Sequence, residues 1–365
     1  MSIKSIFWYR RDLRLHDNHA LFKALQNGGE VMPIFIYDSN IINNLDPGDH
    51  RLKFINDQIQ IINNKLSEIG KKIYTFFGDP LSVVKSLKSE YDFDSLYFNK
   101  DYEPYALERD NKISDYLLER GCSSHSFKDH VIFEENNIVK DDGKPYVVYT
   151  PFSRKWLMNF DPSMTKSFDS ISLLNNLVDS NSLNISSEDS KIVDNAITPI
   201  KYNLEKRIID NYDEDRNYPW IKGTSKIGVH LRFGTKSVRE IVKIGLKSSD
   251  NTYLKELIWR EFFIQILYHF PTTVDKSFKE KYERINWRNN MEEFDAWCNG
   301  MTGYPIVDAG MRELNSTGFM HNRVRMIVGS FLCKHLLIDW RLGEEYFAKK
   351  LFDFEKASNV GNWQW

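Results

Sequence analysis

Two hydrophobic patterns alternate along the first 120 residues, and this alternation constrains the fold more than any other feature. Short runs rich in β-branched and aromatic residues, typical of buried strands, occupy 3–9, 31–37, 72–77 and 95–99. Stretches with helical spacing occupy 18–26, 51–69, 81–91 and 105–120. Strands that alternate with helices predict βαβ units and a parallel sheet, with ligands at the carboxyl ends of the strands. No Gly-x-Gly-x-x-Gly motif follows the first run, which argues against an ordinary NAD-dependent dehydrogenase.

The composition changes after this α/β part. Residues 163–190 contain nine serines interleaved with asparagine and aspartate, a composition typical of a surface linker. Farther along, the patterns are almost wholly helical, with long aromatic and amphipathic stretches at 253–268 and 319–339. The sequence therefore predicts three parts: a Rossmann-like α/β domain with a parallel sheet at 1–130, an interdomain linker at 131–200 that is rich in Ser and Asn within 163–195, and an all-helical domain at 201–365.

The charge balance excludes a polycationic nucleic-acid binder, because 49 basic residues face 51 acidic ones. Residues 221–260, however, carry nine lysines and arginines against three acidic residues. This patch is either a solvated face or the local site of any nucleic-acid contact. The three cysteines are far apart, and no apolar stretch approaches the roughly 18 residues of a membrane span. We therefore expect a cytoplasmic protein without a membrane partner.

Two motifs in the helical half suggest binding chemistry. GTSK (223–226) places hydroxyl groups and a cation before a helical stretch, which suits a phosphate, although an ordinary helix N-cap also explains the motif. Glu256, Trp259 and Arg260 share one helical face. They form either a surface ion pair between Glu256 and Arg260 or a site that holds planar rings and phosphates.

A third motif, MHNRVRM (320–326), places Asn322, Arg325 and Met326 on one helical face. Arginines in an apolar helix need partners, and Asp353 or Glu355 is the candidate. Six of the nine tryptophans follow residue 250. They form a hydrophobic core or carry electrons to a redox cofactor, and spacing alone leaves both open.

Taken together and in this order, the motifs strongly resemble the DNA photolyase and cryptochrome family. The matching segments are FWYRRDLRLHDN (7–18), DDGKPY (141–146), YTPF (149–152), GTSK (223–226), HLRFG (230–234), ELIWREF (256–262), TGYPIVDA (302–309) and ASNVGNWQW (357–365). The resemblance runs from end to end of the chain and weakens only in the linker.

This resemblance implies a carbon–carbon lyase that repairs cyclobutane pyrimidine dimers in DNA, driven by blue light. Electron transfer from excited reduced FAD to a dimer flipped out of the strand would split the dimer. The 1–130 domain would be the family's antenna domain and 201–365 its FAD-binding domain, truncated at the C-terminus relative to the family. The expected partner is UV-damaged DNA, single- or double-stranded, bound by a monomer.

Carried over position by position, the resemblance implies four sets of site residues. The FAD-binding set is Tyr212, Thr224, Ser225, Lys226, Ile227, Gly228, Arg260, Asn322, Arg325, Asp353, Glu355 and Asn359. The catalytic set is Glu256, Trp259, Asn322, Met326 and Asn359. The DNA-binding set is Arg232, Glu256, Trp259, Arg323, Met326 and Trp365. The electron-transfer set is Trp363, Trp340 and Trp287.

Particular roles and a second chromophore follow from the same resemblance. Arg325, paired with Asp353, would lie against the isoalloxazine, and Asn359 would face its N5. The segment NKDYEPYA (99–106) lacks the Asn-Glu pair of folate-binding relatives. It is more similar to members that use a deazaflavin antenna, or to members without an antenna. No metal site is expected.

The alternative function is a cryptochrome-type blue-light photoreceptor without repair activity. Asn322 and Met326 stand where relatives that repair six-four photoproducts carry histidines, and Asn359 stands where plant-type cryptochromes usually have aspartate. The resemblance therefore favours dimer repair. Three positions depart from the family pattern: Gly228 where serine is common, Phe319 where tryptophan is frequent, and Glu355 where many have aspartate.

Overall fold

The structure is a computed structural model, and it describes residues 3–27, 29–46, 48–183, 197–248 and 250–364. Contacts divide the chain into two compact units. The first contains the described residues of 1–134, 161–196 and 233–241, and the second contains those of 135–160, 197–232 and 242–365. Within the described ranges, no helix is both long enough and apolar enough to cross a lipid bilayer.

A five-stranded parallel sheet forms the first unit. Its strands are β1 (Ser5–Tyr9), β2 (Val31–Asp38), β3 (Tyr74–Gly78), β4 (Ser95–Asn99) and β5 (Ser123–Phe127). They pair in the order β3-β2-β1-β4-β5, with Ser5 opposite Val31 on one side and opposite Ser95 on the other. The helices of this unit are α1 (His19–Gln26), α2 (Ser39–Ile42), α3 (His50–Ser67), α4 (Pro80–Tyr91) and α5 (Pro104–Leu118). The predicted parallel α/β fold is thus confirmed.

The four predicted strands are apolar because both faces of the sheet are covered. Trp8, Ile34 and Phe98 lie in one buried cluster with residues of α4 and α5. The sequence analysis did not predict β5. Its residues, SSHSF, are polar, and β5 lies at the sheet edge with intermediate or exposed side chains, so it lacks the apolar signal of a buried strand.

The segment 233–241 joins the first unit through buried charges. Asp129 accepts hydrogen bonds from Arg14 (2.6 Å) and Arg239 (2.7 Å), and Arg239 also donates to Asp17 (3.0 Å). Gly234, in the HLRFG motif, has φ +62° and lies so near the Arg11 carbonyl that a Cβ atom would overlap it. Glycine is therefore required at this close approach.

The second unit is helical, as predicted. Its helices are α6 (Tyr149–Asn159), α7 (Lys206–Asp210), α8 (Tyr212–Asp215), α9 (Gly228–Arg232), α10 (Val238–Gly245, which begins in the segment of the first unit), α11 (Thr252–His269), α12 (Met291–Cys298), α13 (Pro305–Thr317), α14 (Asn322–Ser330), α15 (Trp340–Lys350) and α16 (Lys356–Gln364). Short 3₁₀ turns occupy Pro162–Thr165 and Ile171–Asn176 in the first unit, and Pro271–Val274 and Glu280–Arg284 in the second. A π-helical turn, Phe331–His335, follows α14.

The core of the second unit lies around Trp297, which is fully buried among Met311, Val328 and Phe347. The second half of α11 is the most deeply buried part of this helix, with every residue of 261–267 buried. It packs closely on α16, where a Cβ atom at Gly361 would overlap the Phe263 ring. The predicted helical stretch 319–339 is shorter than expected. It starts at the His321 cap and ends at His335, and Leu337 beyond it has a left-handed φ of +54°.

Contacts divide the predicted linker between the two units. Residues 135–160, which include α6, belong to the second unit. Residues 161–183 belong to the first, where Leu177 forms an isolated bridge with Val31. Residues 184–196 lie outside the described residues. A compact unit is not the same as an independently folding domain, so the boundaries at 130 and 200 stay a prediction.

Candidate functional site

A cavity of about 830 Å³ lies in the second unit, between α14, the segment 353–355 and α16. Its size is within the roughly 300–1,000 Å³ of typical cofactor pockets. Seven predicted site residues line it: Asn322, Arg325, Met326, Asp353, Glu355, Asn359 and Trp363. The predicted common face of Asn322, Arg325 and Met326 is thus confirmed.

One ion pair crosses the cavity wall. Arg325 donates to Asp353 Oδ2 at 3.0 Å and to the Met320 carbonyl at 2.8 Å. Of the two candidate partners, the structure therefore selects Asp353 for Arg325. Asp353 also approaches the start of α9, where a Cβ atom at Gly228 would lie 3.0 Å from Asp353 Oδ2. The second carboxylate oxygen, Oδ1, is buried and accepts no hydrogen bond from the described residues.

A second ion pair joins α11 to the start of α16. Arg260 donates to Glu355 Oε1 at 2.7 Å, and the Ser358 hydroxyl donates to Glu355 Oε2 at 3.0 Å. Both members of the ion pair are largely buried, with side chains 13% and 6% exposed. Arg260 therefore pairs with Glu355. Glu256, which the sequence analysis considered as a partner of Arg260, forms its ion pair with a different residue.

The predicted phosphate motif lies beside the same wall. Lys226 has an unusual left-handed φ of +54°, and its ammonium group lies 4.8 Å from the Phe319 ring centroid. The guanidinium of Arg325, which lines the cavity, lies 5.8 Å from the centroid of the same ring. Ser225 is buried and accepts a hydrogen bond from the Tyr253 hydroxyl at 3.1 Å. Thr224 is half-buried and Ile227 is buried in the same segment.

His321 adds a donor that the sequence analysis did not assign. Its Nδ1 accepts from the Arg323 backbone N–H, so the neutral ring carries its proton on Nε2. Burial, followed by the charges of Arg325, Arg323 and Lys226, lowers the pKa of His321 and keeps it neutral. Nε2 is buried and has no partner among the described residues. An unpaired N–H donor between cationic side chains fits an anionic group such as a phosphate.

Asn359 also lines the cavity, from α16. Its amide donates to the Glu344 carbonyl (3.1 Å) and to Glu344 Oε1 (2.9 Å), which hold it in one orientation. Burial raises the pKa of Glu344 above its usual value. The sequence analysis missed Glu344 because no local pattern connects residues 15 positions apart on different helices. That Asn359 faces the flavin N5 stays a prediction.

A second group of predicted residues surrounds Glu256 and Trp259 on α11. Glu256 forms an ion pair with Arg216. Burial raises the pKa of Glu256 above its usual value, although Arg216 acts in the opposite direction. The Trp259 ring stacks on Tyr149, with centroids 3.6 Å apart and planes 7° apart. Arg216 and Tyr149 were not predicted as site residues, although the YTPF motif begins at Tyr149.

The remaining predicted residues are distributed around these two groups. Tyr212 packs edge-on against Tyr253 (5.2 Å), and burial raises its pKa. Arg323 donates through Nε and Nη2 to Asn217 Oδ1 (3.1 and 2.6 Å), while Met326 is 57% exposed. Arg232 donates to the Phe354 carbonyl at 2.6 Å, so its Nε is engaged within the chain. Trp365 lies outside the described residues.

The three predicted electron-transfer tryptophans lie on adjoining elements. Trp363 lines the cavity and lies against Gly343 of α15, which begins at Trp340. The segment of Trp287 lies along the entry to α15, where Asp339 N donates to Asn289 Oδ1 at 2.8 Å. Trp363 also contacts Trp297 edge-on at 6.4 Å. Core packing and electron transfer both use such contacts, so the electron-transfer role stays a prediction.

Comparisons with known proteins agree with this arrangement. Residues 5–169 match the family model described as DNA photolyase, and residues 253–365 match the one described as FAD binding domain of DNA photolyase. A relative named deoxyribodipyrimidine photo-lyase, from Synechococcus sp., is 32% identical over 393 residues, which cover 100% of this chain and 81% of the relative.

Solved structures show the same fold. A bacterial class III photolyase from Agrobacterium tumefaciens superposes with a TM-score of 0.88 at 32% identity, covering 100% of this chain and 80% of that one. A cryptochrome from Synechocystis sp. superposes with a TM-score of 0.82 at 24% identity over 100% of this chain and 82% of that one, a likeness of fold alone.

The parallel α/β unit and the helical unit together have the fold of photolyases and cryptochromes. The chain belongs to the DNA photolyase family and carries the FAD-binding domain of that family.

Proposed function

We propose that the protein repairs cyclobutane pyrimidine dimers in DNA in a light-driven reaction, with FAD held in the cavity of the second unit. One observation carries the proposal: α14 connects the cavity to the Glu256–Trp259 group. Asn322 and Arg325 line the cavity, while the neighbouring Arg323 binds Asn217, next to the Arg216 that pairs with Glu256. A cofactor site and a site for a planar, charged substrate therefore meet on one helix.

Residues of the cavity and of the segments beside it fit FAD by the chemistry of their donors and acceptors. Lys226, His321 Nε2 and Arg325 supply positive charge and an unpaired donor for the phosphates. The Asp353 carboxylate keeps the Arg325 guanidinium in place. Three further predicted FAD residues, Asn322, Glu355 and Asn359, line the cavity with Arg325. The family resemblance assigns the others to FAD as well: Tyr212, Thr224, Ser225, Ile227, Gly228 and Arg260. Bound FAD in its reduced form supplies the light-absorbing electron donor.

The Glu256–Trp259 group fits a flipped-out pyrimidine dimer. Tyr149 stacks on the Trp259 ring and thereby holds the indole in one orientation at the proposed substrate site. Glu256, held in place by its ion pair with Arg216, presents its carboxylate to the N–H groups on the edge of a pyrimidine base. Arg323 neutralises flanking phosphates, so binding weakens with salt and depends little on base sequence. Trp363, Trp340 and Trp287 would relay electrons from an external reductant to the bound cofactor.

The other expectations from the family resemblance belong to the same proposal. The partner is UV-damaged DNA, single- or double-stranded, bound by a cytoplasmic monomer. A second chromophore, a deazaflavin rather than a folate if one is present, would bind at the carboxyl ends of the strands of the first unit. There, Arg10 donates to both Asp110 oxygens at 2.6 and 2.7 Å, and the Arg109 guanidinium lies 5.5 Å from the ring centroid of Tyr105 in the NKDYEPYA segment.

The direct test is the loss of dimers from an irradiated oligonucleotide, with FAD and a reductant, under blue light and in darkness. We expect loss only in the light. Bound flavin without any loss of dimers would contradict the proposal and favour the photoreceptor alternative.

A substitution at Trp259 tests the substrate site separately from the cofactor site. Because stacking contributes about 1–3 kcal/mol per base, we expect W259A to retain FAD and to bind a dimer-containing strand about 5- to 100-fold more weakly. The matched variant W259F keeps an aromatic face and should lose less affinity. Equal dimer affinity of W259A and the wild type would exclude the stacking role.

A further inference from the structure

A loop of the second unit carries an exposed aromatic pair that the proposed function does not use. Trp220 is 77% exposed, more than any other large hydrophobic side chain in the described ranges, and Tyr218 is 38% exposed. Their ring centroids lie 5.1 Å apart with planes tilted by 57°. Tryptophan is usually well buried, so an indole presented to water beside a second ring indicates a binding surface.

The loop, residues 216–222, is closed rather than extended. At its base, Gly223 lies so near Asp215 that a Cβ atom would overlap the aspartate side chain. At its tip, a turn is closed by a hydrogen bond of 3.0 Å from Ile221 N to the Tyr218 carbonyl. Pro219 restricts the backbone between the two rings. The aromatic tip is therefore held in place before any ligand binds.

Two anchors place the loop at the proposed substrate site. Arg216, at its start, forms the ion pair with Glu256. Asn217, the next residue, accepts two hydrogen bonds from the Arg323 guanidinium. Tyr218 and Trp220 follow these anchors within four residues, so the loop that carries them is tied to the side chains of Glu256 and Arg323.

The chemistry of the loop favours a base over a phosphate. The preceding helix, α8, carries three acidic residues, Asp213, Glu214 and Asp215, which oppose a phosphate group. Aromatic rings stack on the π-faces of unpaired bases without regard to sequence. A duplex from which a dimer has been flipped out contains such unpaired bases.

We propose that Trp220, with Tyr218 beside it, stacks on a base left unpaired opposite the flipped-out dimer. This is a second base-stacking site, separate from the dimer site at Trp259, and it rests on the proposed function. The site stabilises the opened duplex and contributes little to a single strand that binds without the need to keep a duplex open.

The experiment uses FAD-loaded protein and measures equilibrium binding to a dimer-containing duplex, to the same strand alone and to undamaged duplex. We expect W220A to bind the damaged duplex about 5- to 100-fold more weakly, with a smaller change on the single strand. W220F should recover most of the affinity, because it keeps a ring. L118A removes a similarly exposed side chain, 74% exposed on α5, and should leave binding unchanged.

A fluorescent base gives a readout independent of affinity. With 2-aminopurine opposite the dimer, stacking by Trp220 should quench the emission in the wild type and in W220F but not in W220A. If the wild type discriminates damaged from undamaged duplex and W220A matches it in affinity and quenching, the stacking site is wrong while the proposed function stands. If the wild type does not discriminate, both proposals fail.

Discussion

Glu355, Phe319 and Gly228 depart from the family pattern, and each makes a contact at the wall of the cavity. Glu355 bonds Arg260 through one oxygen and Ser358 through the other. The Phe319 ring faces the cations of Lys226 and Arg325. Gly228 leaves room for the Asp353 carboxylate. At the scale of single residues, these departures preserve a charged, closely packed wall.

Tyr149 offers a residue-scale prediction because it supports Trp259 without being one of the predicted substrate residues. Its ring stacks on the indole, and its hydroxyl donates to the Lys255 carbonyl at 2.8 Å. We expect Y149F to keep the stack and lose about 0.5–1.5 kcal/mol of stability with the hydrogen bond. Y149A should also lose the ring pair, worth about another 0.5–1.5 kcal/mol, and bind dimers more weakly.

Denaturant unfolding and dimer binding distinguish the two contributions of Tyr149. Burial raises the pKa of Tyr149 to about 12, so the hydroxyl stays protonated and the comparison holds at neutral pH. Dimer affinity that falls equally in Y149F and Y149A would show that the hydrogen bond, not the stacked ring, orients Trp259.

The helices of the second unit contact one another through glycines where an indole must fit. Gly343 of α15 and Gly329 of α14 both lie against Trp363. The two glycines differ in the space available for a Cβ atom. A Cβ atom at Gly343 would overlap Trp363 and press on Leu332, while one at Gly329 would lie at an ordinary 3.5 Å from the indole. At the scale of elements, these distances determine how closely α15 approaches α16.

This difference predicts opposite outcomes for two similar substitutions. We expect G343A to destabilise the protein by about 1–3 kcal/mol, because the extra methyl group overpacks a rigid site. G329A should be neutral or stabilising by up to about 1 kcal/mol, because alanine favours the helix and meets no overlap. Thermal or denaturant unfolding measures both. Equal effects of the two variants would contradict the proposed packing around Trp363.

Buried charge joins distant parts of the chain at the scale of the whole molecule. Asp129 accepts hydrogen bonds from Arg14 and Arg239, residues 225 positions apart in sequence. Burial alone raises the pKa of Asp129, but the two guanidinium groups outweigh it and hold the net pKa well below its usual range. A carboxyl with a lowered pKa stabilises the fold above its unfolded pKa of about 3.9, and this stability is lost as the pH falls below that value.

We therefore expect D129N to lose about 3–5 kcal/mol at neutral pH, because two buried arginines lose their charged partner. In the wild type, protonation of Asp129 below about pH 4 contributes to the loss of stability in acid. D129N should lack this contribution. The control, D141N, changes a fully exposed aspartate and should behave as the wild type. Unfolding curves between pH 3 and 7 measure these effects. A wild-type pH dependence retained in D129N would show that Asp129 is not the titrating group.

The sequence by itself determined the parallel sheet, the helical second half and the face of α14 that lines the cavity. Each follows from local hydrophobic spacing, which a residue shares with its near neighbours. The polar edge strand β5 lacked that signal and was missed. Motif order also determined the family, because a long series of matching segments is far more specific than any one of them.

Only the tertiary structure decided which charges pair and which rings stack. Arg325 pairs with Asp353, Arg260 pairs with Glu355, and Glu256 pairs with Arg216. Tyr149 and Trp259 stack although 110 positions separate them. Such contacts depend on how helices cross, and the free energy of a buried charge depends on surroundings that no local pattern contains. Sequence spacing therefore identified the residue types of the site, and packing determined their partners.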